Sequence, residues 1–357
     1  MGSTFPYQKH GCKNMHFKQL YIKVALHLII CIYHSIKQCH SIYFILYNLE
    51  NIKTMNSIPL QLRVEHYQLY CHNKLIATLL GCINYKKLFF PCLEVSLTTF
   101  CSLCCEKCAN LMQYYSKPYH VEAKKVFSSI RTLAKVSDGI DCLRLIGGEP
   151  LLWPNLAKLI DYAITEDKIK GILIVTNGTM ALSDELCQVL SKSTKCKVSI
   201  SNYHEKSKAI AELVKRLKKH HIEYVVRDVI WKDKADVSNR HKSMKQLIDA
   251  YHNCHNRFFS LLNGELHMCP RSAHGSDLGV FHKRENDYVN VFELRNSPQQ
   301  LRKGIINMLK NQYIIACNYC AEDISDQLPI IETAKQCTKN QAQTQFSKMT
   351  HTQRRKK

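Results

Sequence analysis

The 357-residue sequence predicts an α/β fold, and three observations carry that expectation. Between residues 92 and 230, short apolar runs alternate with stretches of helical periodicity. The spacing suits parallel strands joined by right-handed helical crossovers. Residues able to do chemistry also gather where the apolar runs end, which is where ligands sit in such sheets.

The elements follow in order. Residues 1–54 form an N-terminal extension with apolar runs at 20–33 and 42–47, interrupted by Lys23, His27, His34, Lys37 and His40. Neither run supplies the roughly 20 uncharged residues of a spanning helix. Two readings stay open: a helix that touches a membrane, and a native start at Met55, which is preferred. Residues 55–91 read as a short β-rich lead-in, with Leu60, Leu62 and Val64 in alternation and a turn region ending at Pro91. The core, residues 92–240, has strand-like runs at 92–98, 142–146, 171–176, 197–201 and 222–230. Helices are expected at 121–136, at 155–165, from Ser183 with Glu185, and at 208–220. No sixth strand is legible. A second, cysteine-bearing unit is expected at 241–334, and a polar, basic, disordered tail at 335–357.

The net charge is +21, and much of it sits at the ends. Residues 1–54 carry six Lys/Arg against one Glu, and residues 335–357 carry seven Lys/Arg and no acid. A nucleic-acid surface would concentrate charge on a folded face with interleaved aromatics, so this distribution argues against a nucleic-acid substrate. Eighteen cysteines in a chain this long, without a signal peptide, fit a reducing cytoplasm. There they serve as metal ligands, catalysts or small buried hydrophobes.

Cys101, Cys105 and Cys108 are spaced C-x3-C-x2-C directly after the first strand. A loop of that size can wrap three thiolates around one face of an iron–sulfur cubane and leave one iron open. Cys104 fits the spacing less well and is read as a bystander. A zinc site or a chance group of buried thiols is the competing reading, although zinc sites usually come as two closed pairs. Gly147-Gly148-Glu149-Pro150 follows the second strand. A tight turn before a helix explains the glycines and the proline but leaves Glu149 without a role. Thr176-Asn177-Gly178 ends the third strand.

Together these motifs resemble the radical S-adenosylmethionine (SAM) superfamily over residues 92–230. The resemblance implies a partial (β/α) barrel and a 4Fe-4S cluster on Cys101, Cys105 and Cys108, with SAM chelated at the open iron. Gly147, Gly148, Glu149 and Pro150 would then bind SAM, the Glu149 carboxylate pairing with its ammonium. Asn177 would line the same pocket, and Ser199 and Ser201 are candidates for its ribose or carboxylate. Arg227 is a further candidate. The family often places an aromatic before the third cysteine; this sequence has Lys107, a departure at the adenine contact.

Farther on lie Cys254, Cys269 and the knuckle Cys317-x2-Cys320. Asn263-Gly264 between two apolar runs predicts a hairpin that folds Cys269 back towards Cys254. These four cysteines resemble the SPASM/twitch auxiliary extension in its shorter, twitch-like form, which implies a second, closed 4Fe-4S cluster. Zinc on the same four thiolates stays open as the alternative.

The functional expectation is a radical SAM enzyme of oxidoreductase type, abstracting hydrogen from a small polar substrate such as a sugar-like alcohol. A flavodoxin or ferredoxin would act as reductant. A peptide-modifying maturase is the alternative within the superfamily; a non-catalytic iron–sulfur or zinc protein is the alternative outside it. No residue stands out as catalytic base or radical relay. Tyr203, His204, Tyr319 and Glu322 are candidates near the site only.

Overall fold

A computed structural model describes residues 88–354, apart from 235, 253, 255–257 and 322–327. All of these residues belong to one compact unit. The expectations for residues 1–87 and for Glu322 lie outside the described residues.

Twelve strands are described: β1 (Phe89–Phe90), β2 (Leu93–Ser96), β3 (Gly139–Ile140), β4 (Leu143–Ile146), β5 (Ile172–Thr176), β6 (Cys196–Asn202), β7 (Glu223–Asp228), β8 (Trp231–Lys232), β9 (Phe259–Leu262), β10 (Glu265–His267), β11 (Tyr288–Asn290) and β12 (Ile330–Ile331). Eight of them form one sheet in the order β11-β10-β9-β2-β4-β5-β6-β7. The run from β2 to β7 is parallel, with Leu93 beside Leu143, Leu143 beside Ile172, and Ile172 beside Cys196. These are the five strands the sequence predicts. Two short pairs, β1 with β3 and β8 with β12, stand outside the main sheet.

The Asn263-Gly264 hairpin forms as expected, both residues having positive φ (50° and 87°), which a two-residue turn of this kind requires. Its first arm does more than the sequence indicates. β9 lies parallel to β2, Phe259 beside Leu93, and so supplies a sixth strand to the parallel run. All four β9 residues are buried, as a strand covered on both faces requires. The strand was hidden because it comes long after β7 in the chain and docks at the opposite edge.

The parallel register divides the sheet into two faces. Leu93, Val95, Leu143, Leu145, Ile172, Ile174, Val198 and Ile200 share one face and are all buried. Packed with it in one core are residues of α1 (Ala123–Val136), α2 (Leu156–Thr165), α3 (Asp184–Ser191) and α4 (Ile210–Lys219). Val126, Ile130 and Leu133 recur on one side of α1, the stripe an amphipathic helix needs. Each such side chain contributes about 1.5–3 kcal/mol through burial. Ser183 caps α3 by accepting a hydrogen bond from the Leu186 N–H at 3.1 Å. Glu94, Ser96, Arg144 and Ser199 lie on the opposite face, here the polar face, which also carries Ile146, Leu173 and Val175.

The C-terminal part adds α5 (Met244–His252), α6 (Pro270–Asp277), α7 (Pro298–Leu309) and α8 (Lys339–Arg354). α8 corrects the expectation of a disordered tail. Ala342, Phe346 and Met349 recur at i, i+4 and i+7 and pack on the core, with Phe346 stacked on Tyr114 at 5.1 Å between ring centroids. Three apolar residues within a strongly polar segment were too sparse a signal in composition. Among the described residues, no helix is long and apolar enough to cross a membrane.

α6 sends His274 to the polar face. Its Nε2 lies 3.1 Å from Ser96 Oγ, and its Nδ1 lies 3.0 Å from the Tyr115 hydroxyl. That hydroxyl donates to Asp277 at 2.9 Å, and the Tyr119 hydroxyl donates to the same carboxylate at 2.8 Å. The Tyr115 oxygen therefore accepts a hydrogen bond from His274 Nδ1–H, which leaves Nε2 to accept from the Ser96 hydroxyl. Burial, with a smaller contribution from His267, pushes His274 down to about 3 from the usual 6.5. A histidine depressed in the folded state contributes stability above pH 6.5 that is lost as pH falls towards 3. Between pH 7 and pH 5 the chain should lose about 2 kcal/mol from this group. His274→Asn should shrink that loss by a similar amount, which urea midpoints at the two pH values will show.

Candidate metal and cofactor site

The cysteine loop leaves β2 at its carboxyl end, and hydrogen bonds like those of the strands hold its first residues to the next loop. Gly148 N–H donates to Thr98 O, and Glu149 N–H donates to Phe100 O, each at 2.8 Å. The Gly147-Gly148 pair is required for this close approach. A Cβ on Gly147 would collide with the Thr98 carbonyl, and one on Gly148 with the Phe100 carbonyl and the Cys101 Cβ.

Glu149 is fully buried. One carboxylate oxygen accepts from Leu151 N–H at 3.2 Å, capping a short 3-10 turn at Pro150–Leu152. The other accepts from Asn177 N–H at 2.9 Å. Burial raises its pKa, and these hydrogen bonds oppose the rise. Glu149 therefore has a structural function that the sequence alone did not supply: it joins the loop after β4 to the loop after β5.

Asn177 continues the connection. Its side-chain amide donates to Ser102 Oγ at 3.0 Å and reaches Cys101 Sγ at 3.7 Å. Its Oδ1 accepts from Thr179 N–H at 3.0 Å and from Thr179 Oγ1 at 2.7 Å, and its main-chain carbonyl accepts from Ser207 Oγ at 2.7 Å. Ser102 and Thr179 lie 2.6 Å apart, oxygen to oxygen. Neither residue was picked out from the sequence, although a threonine directly after Asn-Gly is placed to bond back to the asparagine.

Cys101, Cys105 and Cys108 lie close enough to act on one another electrostatically. Burial pushes Cys101 up to about 12 and raises Cys105 and Cys108 as well. As bare thiols they stay protonated at neutral pH, and binding a cationic centre would release those protons. Among the described residues, no three His, Cys, Asp or Glu side chains are set as ligands of a single metal ion. An iron–sulfur cubane takes one thiolate at each of several corners, so its ligands stand wider apart than those of one ion. Three soft thiolates from one loop, with amide N–H groups of Asn177 and Gln336 directed at two sulfurs, suit such a cluster.

Ser199 is buried on the polar face of β6, with Val225 of β7 beside it. Ser201 stands beside Arg227 in the same register, and its hydroxyl bonds to Tyr203. Burial raises the Tyr203 phenol, and all three cysteines of the loop add to the rise, which places Tyr203 at the site. His204 lies in the next 3-10 turn, and Tyr319 belongs with the second cysteine group. Lys107, where the family often has an aromatic, pairs with Asp233 at 3.1 Å.

The second group also converges. Cys269 is raised by burial and feels Cys317 and Cys320; Cys317, pushed up to about 12 by burial, feels Cys254 and Cys320. Cys269 caps α6, its sulfur accepting from Ser272 N–H at 3.2 Å. Lys242 donates to Cys320 O at 2.9 Å, and Arg271 to Tyr319 O at 3.0 Å.

Comparison with known proteins shows what this segment is similar to. Residues 95–231 match the model of the family described as the Radical SAM superfamily. Among curated proteins, the chain is similar to GTP 3',8-cyclase of Clostridium acetobutylicum, 34% identical over 110 residues, covering 30% of this chain and 33% of that protein. It is also similar to the human molybdenum cofactor biosynthesis protein 1, 35% identical over 89 residues, covering 24% of this chain and 14% of that one. The chain thus spans about a third or less of the length of these curated relatives. Among solved structures, BtrN in complex with AdoMet and 2-DOIA is 16% identical with a TM-score of 0.42, covering 70% and 98% of the two chains. Native anSMEcpe with bound AdoMet is 13% identical with a TM-score of 0.43, covering 73% and 97%.

The Asn177 connection predicts a graded effect on stability. Asn177→Ala removes the bonds to Ser102 and Thr179 and should cost about 2 kcal/mol. Asn177→Asp keeps the acceptor for Thr179 and should cost less. Urea unfolding of the metal-free chain measures both.

Proposed function

We propose that the chain is a radical SAM enzyme, with a 4Fe-4S cluster on Cys101, Cys105 and Cys108 and SAM bound beside it. What supports this reading is that three thiols gather at one sheet end and are tied through Asn177 and Glu149 to the two neighbouring loops. Cys101, Cys105 and Cys108 would hold the cluster, which when bound would supply one-electron reduction of SAM. The chain's own residues bind and position. Gly147 and Gly148 let the loop after β4 approach the cysteines, Glu149 and Pro150 fix its course, and Asn177 holds the Cys101–Ser102 turn. Ser199, Ser201 and Tyr203 provide polar contacts on the side of β6.

The substrate is proposed to be a small polar molecule on the polar sheet face. Arg144 and Glu94 pair there at 3.5 Å. Arg144 Nε is buried without a hydrogen-bond partner among the described residues, while Ser260 lies beside the Glu94 carboxylate. A buried polar atom left in this way suits a polar ligand better than an apolar one. No described residue points to a sugar-like alcohol in particular, and the reading stops at the polar class. The matched relatives named GTP 3',8-cyclase are likewise named for a polar substrate. Cys254, Cys269, Cys317 and Cys320 are proposed to hold a second 4Fe-4S cluster, and a flavodoxin or ferredoxin to deliver electrons.

Anaerobic reconstitution followed by iron counting and a 5′-deoxyadenosine assay tests the reading. About eight irons per chain and SAM cleavage are expected, since each cubane holds four. Cys105→Ala should abolish cleavage and leave about four irons. Cleavage with about four irons in the wild type would reassign the second cysteine group, with zinc as the first substitute. Zinc without iron and no cleavage would overturn the proposal.

A further inference from the structure

A short strap after β12 lies antiparallel to the cysteine loop. Gln336 bridges to Cys105, and on either side the backbone bonds run from Glu106 N–H to Lys335 O and from Cys337 N–H to Cys104 O, both at 2.8 Å. Side chains reinforce the pairing. Gln336 accepts from Cys104 N–H at 2.9 Å and donates to Cys105 Sγ at 3.3 Å, while Lys335 pairs with Glu106 at 2.9 Å. This register sets Cys104 directly opposite Cys337, with their sulfurs 3.7 Å apart. Directly opposite residues on antiparallel strands have Cα atoms about 4.5–5.5 Å apart, inside the range that disulfides span.

We propose that Cys104 and Cys337 form an oxidisable dithiol whose disulfide fastens the C-terminal strap to the cysteine loop. The oxidant is a low-molecular-weight disulfide such as oxidised glutathione. One protein thiolate attacks it, forming a mixed disulfide and releasing one glutathione. The second protein thiolate then displaces the other glutathione, closing the Cys104–Cys337 bond. Two protein S–H bonds are lost and one S–S bond forms; the oxidant takes up both electrons and leaves as two thiols. Both cysteines are partly exposed and open to such a reagent. Cys92 and Cys142 also interact but are fully buried, closed to it.

The closed bond would hold Gln336 against the Cys105 sulfur, and α8 follows directly from the strap. That consequence rests on the proposed cluster site; formation of the disulfide does not.

The test uses the full reconstituted chain under anaerobic conditions. After treatment with excess oxidised glutathione, remaining thiols are alkylated with iodoacetamide and the chain is digested without reduction for mass mapping. The expected result is a Cys104–Cys337 linked peptide pair, two hydrogens lighter than its separate parts, in most chains and lost on reduction. Cys337→Ser should abolish the link and leave glutathione on Cys104, and both Cys104→Ser and Cys337→Ser should retain the wild-type iron content. Alkylation of both thiols after oxidant treatment would overturn the proposal. So would a link from Cys104 to Cys101, Cys105 or Cys108, or loss of iron from Cys104→Ser. Failure of the cluster reading would show differently, as a wild-type chain without iron that still forms the link.

Discussion

The carboxylate of Glu149 is fully buried, and its two oxygens accept from the N–H groups of Leu151 and Asn177. Much of the candidate site depends on this contact. Without it the loops after β4 and β5 would share no side-chain tie at that point, and Asn177 would lose the anchor on its own backbone. Asn177 in turn holds Ser102 and reaches Cys101, so the cysteine loop takes its place through the same carboxylate. Burying a carboxylate is costly unless hydrogen bonds compensate, and the raised pKa of Glu149 records that cost.

The glycines before Glu149 make the contact possible. Any side chain at Gly147 or Gly148 would strike the backbone of the cysteine loop, and the N–H groups of Gly148 and Glu149 could no longer pair with the Thr98 and Phe100 carbonyls. The site is thus an extension of the β2–β4 ladder beyond the ends of the strands. Its precision comes from backbone pairing in a sheet whose other face is a packed apolar core, a rigid base for a loop that must place three sulfurs together.

The parallel strands β2, β4, β5 and β6 were legible in the sequence because each is a short apolar run followed by helical periodicity, and β7 because its run follows the last of those helices. The hairpin at Asn263-Gly264 was legible because its turn chemistry is local. Three features were not. The pairing of β9 with β2 joins segments far apart in the chain and leaves no periodic trace. α8 keeps its apolar stripe to Ala342, Phe346 and Met349 within a polar tail. The strap at Gln336 and Cys337 depends on register alone. For the site, spacing singled out Cys101, Cys105 and Cys108, and the resemblance of the strand-end motifs to the radical SAM superfamily singled out Glu149 and Asn177. Ser102, Thr179 and Gln336 emerged only from three-dimensional proximity, as did the structural function of Glu149.

The central claim is that the three thiols of the cysteine loop hold a cluster with an open iron beside a SAM pocket. The most direct measurement is the electron paramagnetic resonance spectrum of the dithionite-reduced chain in which Cys317 and Cys320 are changed to Ala, with and without SAM. Those changes leave only the Cys101, Cys105 and Cys108 site to give a signal. The account predicts a reduced iron–sulfur signal whose shape changes when SAM is added, since the ligand binds the open iron. A signal that SAM leaves unchanged, or no iron–sulfur signal at all, would contradict it.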